Sequence, residues 1–389
     1  MTPLLLPLAA VSLLLLLLLL LSATAATTIT TLPSDVSALK SIKSAINPAT
    51  IPSYSCLASW NFSSDPCSTP HLTHFLCALS CSGDRVTQLT FDRAGYSGTL
   101  SPLVSQLTQL TTIDLSDNKL SGPIPTSLFS LPNLQTLNLR SNSFSGTVPP
   151  VMPNLKSIET LDISHNLLSG NLPDASSSLT LTRLDLSFNR FTGPIPKLPT
   201  NLLELAIKSN SISGVLTKTA FAELTQLEVA ELSDNSLAGT IPGWLFLLPA
   251  IQQFNLANNG FTGIEILKPA NSNLVAVDAG FNKIVGDLSA NFTAYPVLSS
   301  LSLRYNRLQG SIPEEFTGTK TALRRLFLDG NYLTGMPPKE FFSGKSDVSG
   351  SLGDNCLKSC PATSQMCVKS QKPSAICRQA NGGKGKPKS

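Results

Sequence analysis

The run Leu110-Thr111-Thr112-Ile113-Asp114-Leu115-Ser116-Asp117-Asn118-Lys119-Leu120-Ser121-Gly122 returns, with its Leu, Asn and Gly in place, as Leu323-Arg324-Arg325-Leu326-Phe327-Leu328-Asp329-Gly330-Asn331-Tyr332-Leu333-Thr334-Gly335. Between them the anchoring residue recurs at Asn142, Asn166, Asn189, Asn210, Asn235, Asn259, Asn282 and Asn306, in steps of 21 to 25 residues. An earlier copy, Val86-Leu89-Phe91-Tyr96-Gly98, carries Ala94 where Asn belongs. That makes eleven units, and self-similarity at this period marks a solenoid. A stacked array grows along one axis, so 389 residues need not be divided into two or three globular domains.

Each unit follows one plan. The Leu-x-Leu centre alternates apolar and polar residues, which is strand periodicity. Stacked copies then pair in parallel as one continuous sheet. The Asn is expected at the turn out of the strand, with its amide serving backbone groups of neighbouring turns. Gly permits positive φ there. A Gly-x-Ile-Pro step follows, with Pro125, Pro149, Pro173, Pro196, Pro242 and Pro313 fixing an extended segment. The remaining half of each unit reads as short and irregular. The plan falters at Gly214-Val215-Leu216-Thr217, Gly263-Ile264-Glu265-Ile266 and Gly286-Asp287-Leu288-Ser289, where local bends are expected. Phe221-Ala222-Glu223-Leu224 reads as a helical turn. From Met336 the pattern stops.

The flanks read differently. Residues 1–25 hold an apolar run, Leu4 to Leu21, before Ala23-Thr24-Ala25, a small-x-small cleavage pattern, and read as a secretory signal. No second apolar run long enough to span a membrane follows. Residues 26–33 read as a mobile leader, 34–85 as an N-terminal cap, 86–338 as the repeats, 339–378 as a C-terminal cap and 379–389 as a disordered basic tail. The first cap opens with a helix at Ser34-Asp35-Val36, carrying Leu39, Ile42 and Ile46, which Asn47-Pro48 ends. Four cysteines precede the repeats (Cys56, Cys67, Cys77, Cys81) and four follow them (Cys356, Cys360, Cys367, Cys377). In a secreted chain this reads as two disulfide-stapled caps, with three pairings open to each set. The same chemistry displaces a zinc reading of Cys67, His71, His74 and Cys77, and no metal or cofactor is expected. Asn61-Phe62-Ser63 and Asn291-Phe292-Thr293 are glycosylation acceptors.

Net charge is +4, and from Lys339 onward nine Lys and Arg face three Asp and Glu. That leaves 19 cations against 21 acids elsewhere, so the array lacks the basic stripe that nucleic-acid binding requires. No nucleophile elbow, metal-protease motif or isolated carboxylate pair appears, and the chain is expected not to be an enzyme.

The consensus and the segment Asp35…Trp60…Asp65-Pro66-Cys67…Cys81…Arg85-Val86 resemble the plant-type leucine-rich repeat and the N-terminal cap of plant receptor-like proteins and receptor kinases. The resemblance spans residues 34–377. Where that cap usually carries Trp-x-Gly-Val-x-Cys, this chain has His74-Phe75-Leu76-Cys77-Ala78-Leu79-Ser80-Cys81. It implies an α/β solenoid, a right-handed horseshoe with its parallel sheet on the concave face. It also implies a secreted recognition protein of the extracellular space or cell wall, or one peripheral to the plasma membrane. Such a protein binds a protein or peptide in signalling or defence as the partner of a membrane receptor kinase. A second implied reading is an inhibitor of microbial wall-degrading enzymes, like the polygalacturonase-inhibiting proteins. A third reading is a wall-associated structural protein held by its basic tail.

Recognition in such arrays uses the letters that the motif leaves free. The central column reads Thr90, Asp114, Asn138, Asp162, Asp185, Ala206, Glu231, Asn255, Asp278, Ser302 and Phe327. Its five acids form either a strip for a basic peptide or protein, or the repeat's ordinary filler. The next column is assigned Arg140, His165, Phe188, Lys208, Phe281, Arg304 and Tyr305, the residue types of binding hot spots. Phe281, Arg304 and Tyr305 are expected to form one patch.

Overall fold

The computed structural model describes residues 30–381, apart from 64, 68–78, 150–154, 319–320, 345 and 369. The signal segment, the first half of the leader, His71, His74, Cys77 and most of the basic tail therefore lie outside the described residues.

Among the described residues, one sheet of thirteen strands runs from Leu79 to Ser351. Leu79–Ser82 and Arg85–Thr90 open it as an antiparallel hairpin. From Arg85–Thr90 onward every neighbour is parallel, one short strand per repeat, ending at Arg325–Phe327 and Ser349–Ser351. The register is strict. Ile113 lies beside Leu137, Leu137 beside Leu161 and Leu161 beside Leu184, all buried, while the residues on either side face out. Period-two alternation thus assigns one letter of each triplet to the core and two to the surface.

The Asn ladder holds the turns together. In a typical rung, Asn142 Nδ2 donates to Leu115 O (2.9 Å) in the preceding turn and to Leu139 O and Arg140 O in its own. Its Oδ1 accepts from Leu120 N at 2.9 Å. The same pattern continues past the expected end of the repeats. Asn355 donates to Leu328, Leu352 and Gly353 oxygens and accepts from Leu333 N. The array therefore runs one turn beyond Met336, into the C-terminal cap.

A second sheet, not foreseen, lies on the far side of the ladder. Eight strands from Ser97–Gly98 to Gly260–Ile264 pair in parallel there, using the residues just after each Asn. Hydroxyls tie its turns: Ser121 to Gly98 O, Ser169 to Gly146 O, Thr192 to Gly170 O and Thr262 to Gly239 O, at 3.2–3.4 Å. This sheet breaks after Ile264, where the Ile-Pro step is missing, and resumes as a separate pair, Val285–Asp287 with Arg307–Gln309. It does not break at Gly214, which still pairs onward.

The other half of each unit is more regular than expected. It forms 3-10 turns at Thr126–Ser130, Gly243–Leu247 and Glu314–Thr317, each preceded by its Pro at the capping position. Pro supplies the fixed φ and needs no hydrogen on nitrogen there. The expected helical turn sits three residues early, at Lys218–Phe221, with Thr217 capping Ala220 N.

At the front, the helix Pro33–Ser44 buries Ala38, Leu39 and Ile42 over the first repeats. Asp35 is fully buried, paired to Arg85 at 3.1 Å and accepting from Val86 N at 2.9 Å. Trp60, Phe91 and Tyr96 pack edge to face behind it, with centroids 6.2 and 5.5 Å apart. The open pairings resolve as Cys67–Cys81, Cys356–Cys377 and Cys360–Cys367, and Cys56 is also in a disulfide.

Candidate ligand-binding face

The central column is in register as expected, from Thr90 beside Asp114 to Ser302 beside Phe327. Its acids are less free than a binding strip requires. Asp114, Asp162, Asp185 and Asp278 each accept the backbone N–H two residues on, at 2.9–3.0 Å. Asn138 and Asn255 do the same at 3.1 and 3.2 Å. These are Asx turns, which start the bend out of each strand. Glu231 is one methylene too long for that geometry. It instead accepts from Asn255 Nδ2 at 3.2 Å. Burial holds the carboxyl groups of Asp162 and Glu231 above their ordinary range, against the opposing effect of their hydrogen bonds.

The second expected column divides in two. Arg140, Lys208 and Arg304 stand two places before their ladder Asn, and His165, Phe188, Phe281 and Tyr305 one place before. The cations turn toward the acids. Arg140 lies 3.9 Å from both Asp162 and Asp185, and Lys208 lies 3.8 Å from Asp234. Arg304 is bound at 3.0 Å to Asp329, which the sequence reading had not singled out and which is almost fully buried. Its guanidinium lies 5.0 Å over the Phe327 ring.

The aromatics occupy a left-handed turn. His165, Phe188, Phe281 and Tyr305 have φ of 52–55°, in the left-handed region that every repeat with a ladder Asn adopts at this place. Successive turns bring these rings face to face. His165 and Phe188 stack at 4.1 Å and Phe281 and Tyr305 at 4.8 Å. The expected patch of Phe281, Arg304 and Tyr305 is therefore a stacked pair with Arg304 on the neighbouring column. Tyr305 lies against Gly330, where a Cβ would come within 2.5 Å of the ring. Lys208 sits 6.0 Å over Phe188.

Two hollows open on this face. One, of about 410 Å³, is bordered by Asp162, Arg183, Asp185 and Glu204, and there Arg183 and Glu204 pair at 2.7 Å. The other, of about 280 Å³, lies between Glu231 and Phe327. Among the described residues no group of His, Cys, Asp and Glu is placed to hold a metal ion. No helix of the described residues is long and apolar enough to cross a membrane. Of the two sequons, Asn61 is exposed, whereas Asn291 is half-buried with Nδ2 donating to Ile266 O at 2.9 Å.

The leucine rich repeat N-terminal domain model matches residues 32–69, and the Leucine Rich Repeat model matches 109–131, 133–155, 157–179, 180–202 and 297–319. The chain is 32% identical over 271 residues to Receptor-like protein 18 of Arabidopsis thaliana, covering 65% of this chain and 30% of that protein. Among solved structures it is similar to PEPR1-AtPEP1, with 27% identity, a TM-score of 0.65, and 84% of this chain and 50% of that one covered. It is also similar to the ectodomain of the membrane receptor kinase GASSHO1/SCHENGEN3 from Arabidopsis thaliana in complex with CASPARIAN STRIP INTEGRITY FACTOR 2. There the identity is 29% and the TM-score 0.60, over 72% of this chain and 37% of that one. The chain is a plant-type leucine-rich repeat solenoid under a leucine-rich-repeat N-terminal domain. Its homologues are plant receptor-like proteins, and it spans less than a third of the length of the first curated relatives that it matches.

Proposed function

We propose that this chain is an extracellular recognition protein. It binds a peptide or protein along the outer face of the long sheet, in plant signalling or defence, as the ligand-binding partner of a membrane kinase. One observation carries the reading. Asp117, Ser141, Ser209, Asp234 and Asn258 fill the left-handed turn elsewhere, so the fold does not require an aromatic ring there. Yet Phe188 and Phe281 occupy it with 42% and 49% of their surface exposed. Exposed rings of this kind are typical binding anchors. They stand four strands apart, about 19 Å, the reach of roughly six extended residues. Similarity to the plant peptide hormone receptor RGFR1 in complex with RGF2, at 30% identity and a TM-score of 0.61, supports a peptide as the ligand.

The test is site-specific photo-crosslinking. A benzophenone side chain replaces Phe188 or Phe281 in one set of variants and Glu314, on a 3-10 turn, in another. Extracellular fluid of the native tissue supplies the partners. One peptide or protein joined from both ring positions, and not from position 314, is the expected result. Crosslinks from position 314 alone would overturn the reading.

A further inference from the structure

The hollow between Glu231 and Phe327 differs from the rest of the face. Small residues, Ala276 and Ser300, floor it, and Glu231, Asn255, Asp278, Ser302, Arg304 and Phe327 surround it. Ser302 is only 7% exposed, and its Oγ has no hydrogen-bond partner among the described residues. A buried hydroxyl facing an open hollow without a partner calls for one from outside.

Charge indicates what that partner is. Elsewhere on the face the acids share cations, as Asp162 and Asp185 share Arg140. No Lys or Arg among the described residues lies within ion-pair distance of Glu231 or Asp278, and Lys208, paired to Asp234, acts on Glu231 only from farther off. Arg304, at the rim, is committed to Asp329 and stacked on Phe327. Its stem crosses Gly280, where a Cβ would come within 2.9 Å of its Cγ. The hollow thus presents two carboxylates, an amide and an unused hydroxyl, with a neutralised wall.

We propose that this hollow takes one cationic side chain of the bound peptide, arginine in preference to lysine. The inference rests on the reading of the face as a peptide site. Glu231 and Asp278 stand two strands apart, about 10 Å between Cα atoms, with Asn255 between them. A planar guanidinium with five donors can meet both carboxylates and the Ser302 oxygen, whereas an ammonium is a point charge. The burial that raises the Glu231 carboxyl would be offset by a cation seated beside it.

The experiment is selection of a displayed random dodecapeptide library on the intact protein. Recovered peptides are measured against the parent, Glu231→Gln, Asp278→Asn and, as control, Glu314→Gln. Both amide variants keep the acceptors for Asn255 and Gly280 N, so unfolding midpoints at or above the parent's establish that they fold. The expected result is one position fixed as Arg, with binding at least tenfold weaker when it is citrulline or when either acid in the hollow is neutralised. Peptides that bind on the ring-bearing face with no basic position, or whose basic position is insensitive to both variants, overturn the hollow's role and leave the peptide reading standing. A library that leaves no binder overturns both.

Discussion

Arg304 donates through Nε and Nη2 to a single oxygen of Asp329, at 3.2 and 3.0 Å. The Asp329 side chain is 1% exposed, while the partners of Arg140 are 23% and 32% exposed. Breaking a buried pair from one side costs about 3 kcal/mol or more, while an exposed pair is worth about 1 kcal/mol or less. Arg304→Ala should therefore destabilise the C-terminal repeats by about 3 kcal/mol, and Arg140→Ala by under about 1 kcal/mol. Urea unfolding monitored by hydrogen exchange in Ser300–Ser302 and Arg325–Phe327 measures both. Equal losses would show that burial of Asp329 does not govern the pair.

The ladder makes its own prediction. Asn331 is fully buried, and its amide donates to Leu303 and Leu328 oxygens while Leu308 N donates to it. Asn331→Ala leaves Leu308 N buried without its acceptor, at about 1–3 kcal/mol, while Leu303 O and Leu328 O keep Asn306 and Asn355 as donors. The loss should appear as faster amide exchange at Leu308, in the preceding turn. Unchanged exchange there would remove the ladder from the account of stacking.

Burial raises the Glu231 carboxyl above its ordinary 4.5, so the folded chain binds that proton more readily than the unfolded chain. Where the folded state binds more protons, stability rises as pH falls. The gain develops from the raised value down toward 4.5 and is complete below it. Glu231→Gln should thus be more stable than the parent at pH about 7, with the difference shrinking as the pH nears 4.5. Urea midpoints at the two pH values decide this, and a difference independent of pH contradicts it.

Glycan occupancy should follow the geometry of the sequons. Asn61 is exposed and its side-chain oxygen accepts from Ser63, while Asn291, on a 3-10 turn, commits its amide nitrogen to Ile266 O of the preceding turn. Mass spectrometry of the protein secreted from plant cells should find Asn61 more fully occupied than Asn291. The reverse order would mean that the enzyme acts before the turn at Ala290–Ala294 has formed.

The fold was legible in the sequence because its period, its inward leucines and its Asn are repeated letters with one physical role each. The last turn escaped because Gly350 stands beside Leu326, where the other turns carry an apolar side chain. Its φ is 153° and a Cβ would meet Leu326 O at 1.7 Å, so the strand closes over the array without a hydrophobic side chain. The second sheet escaped because its strands carry small hydroxyl residues and Gly rather than an apolar alternation. The candidate face was read only in outline. Spacing put Arg304 and Tyr305 in one column, but the left-handed turn at Tyr305 sends their side chains different ways. Asp329 went unnoticed because a buried counter-ion shows in the fold and not in the motif.

The most direct test of the concave face as the recognition surface is a glycan wedge. Thr136→Asn with Asn138→Thr creates a sequon on the long sheet's outer face, and Ser130→Asn with Pro132→Thr creates one at the end of a 3-10 turn. The partner crosslinked from Phe188 and Phe281 is then titrated against both glycosylated proteins. The account predicts that the wedge on the sheet abolishes binding and that the wedge on the turn leaves it within twofold of the parent. Full binding with the sheet glycosylated would contradict it.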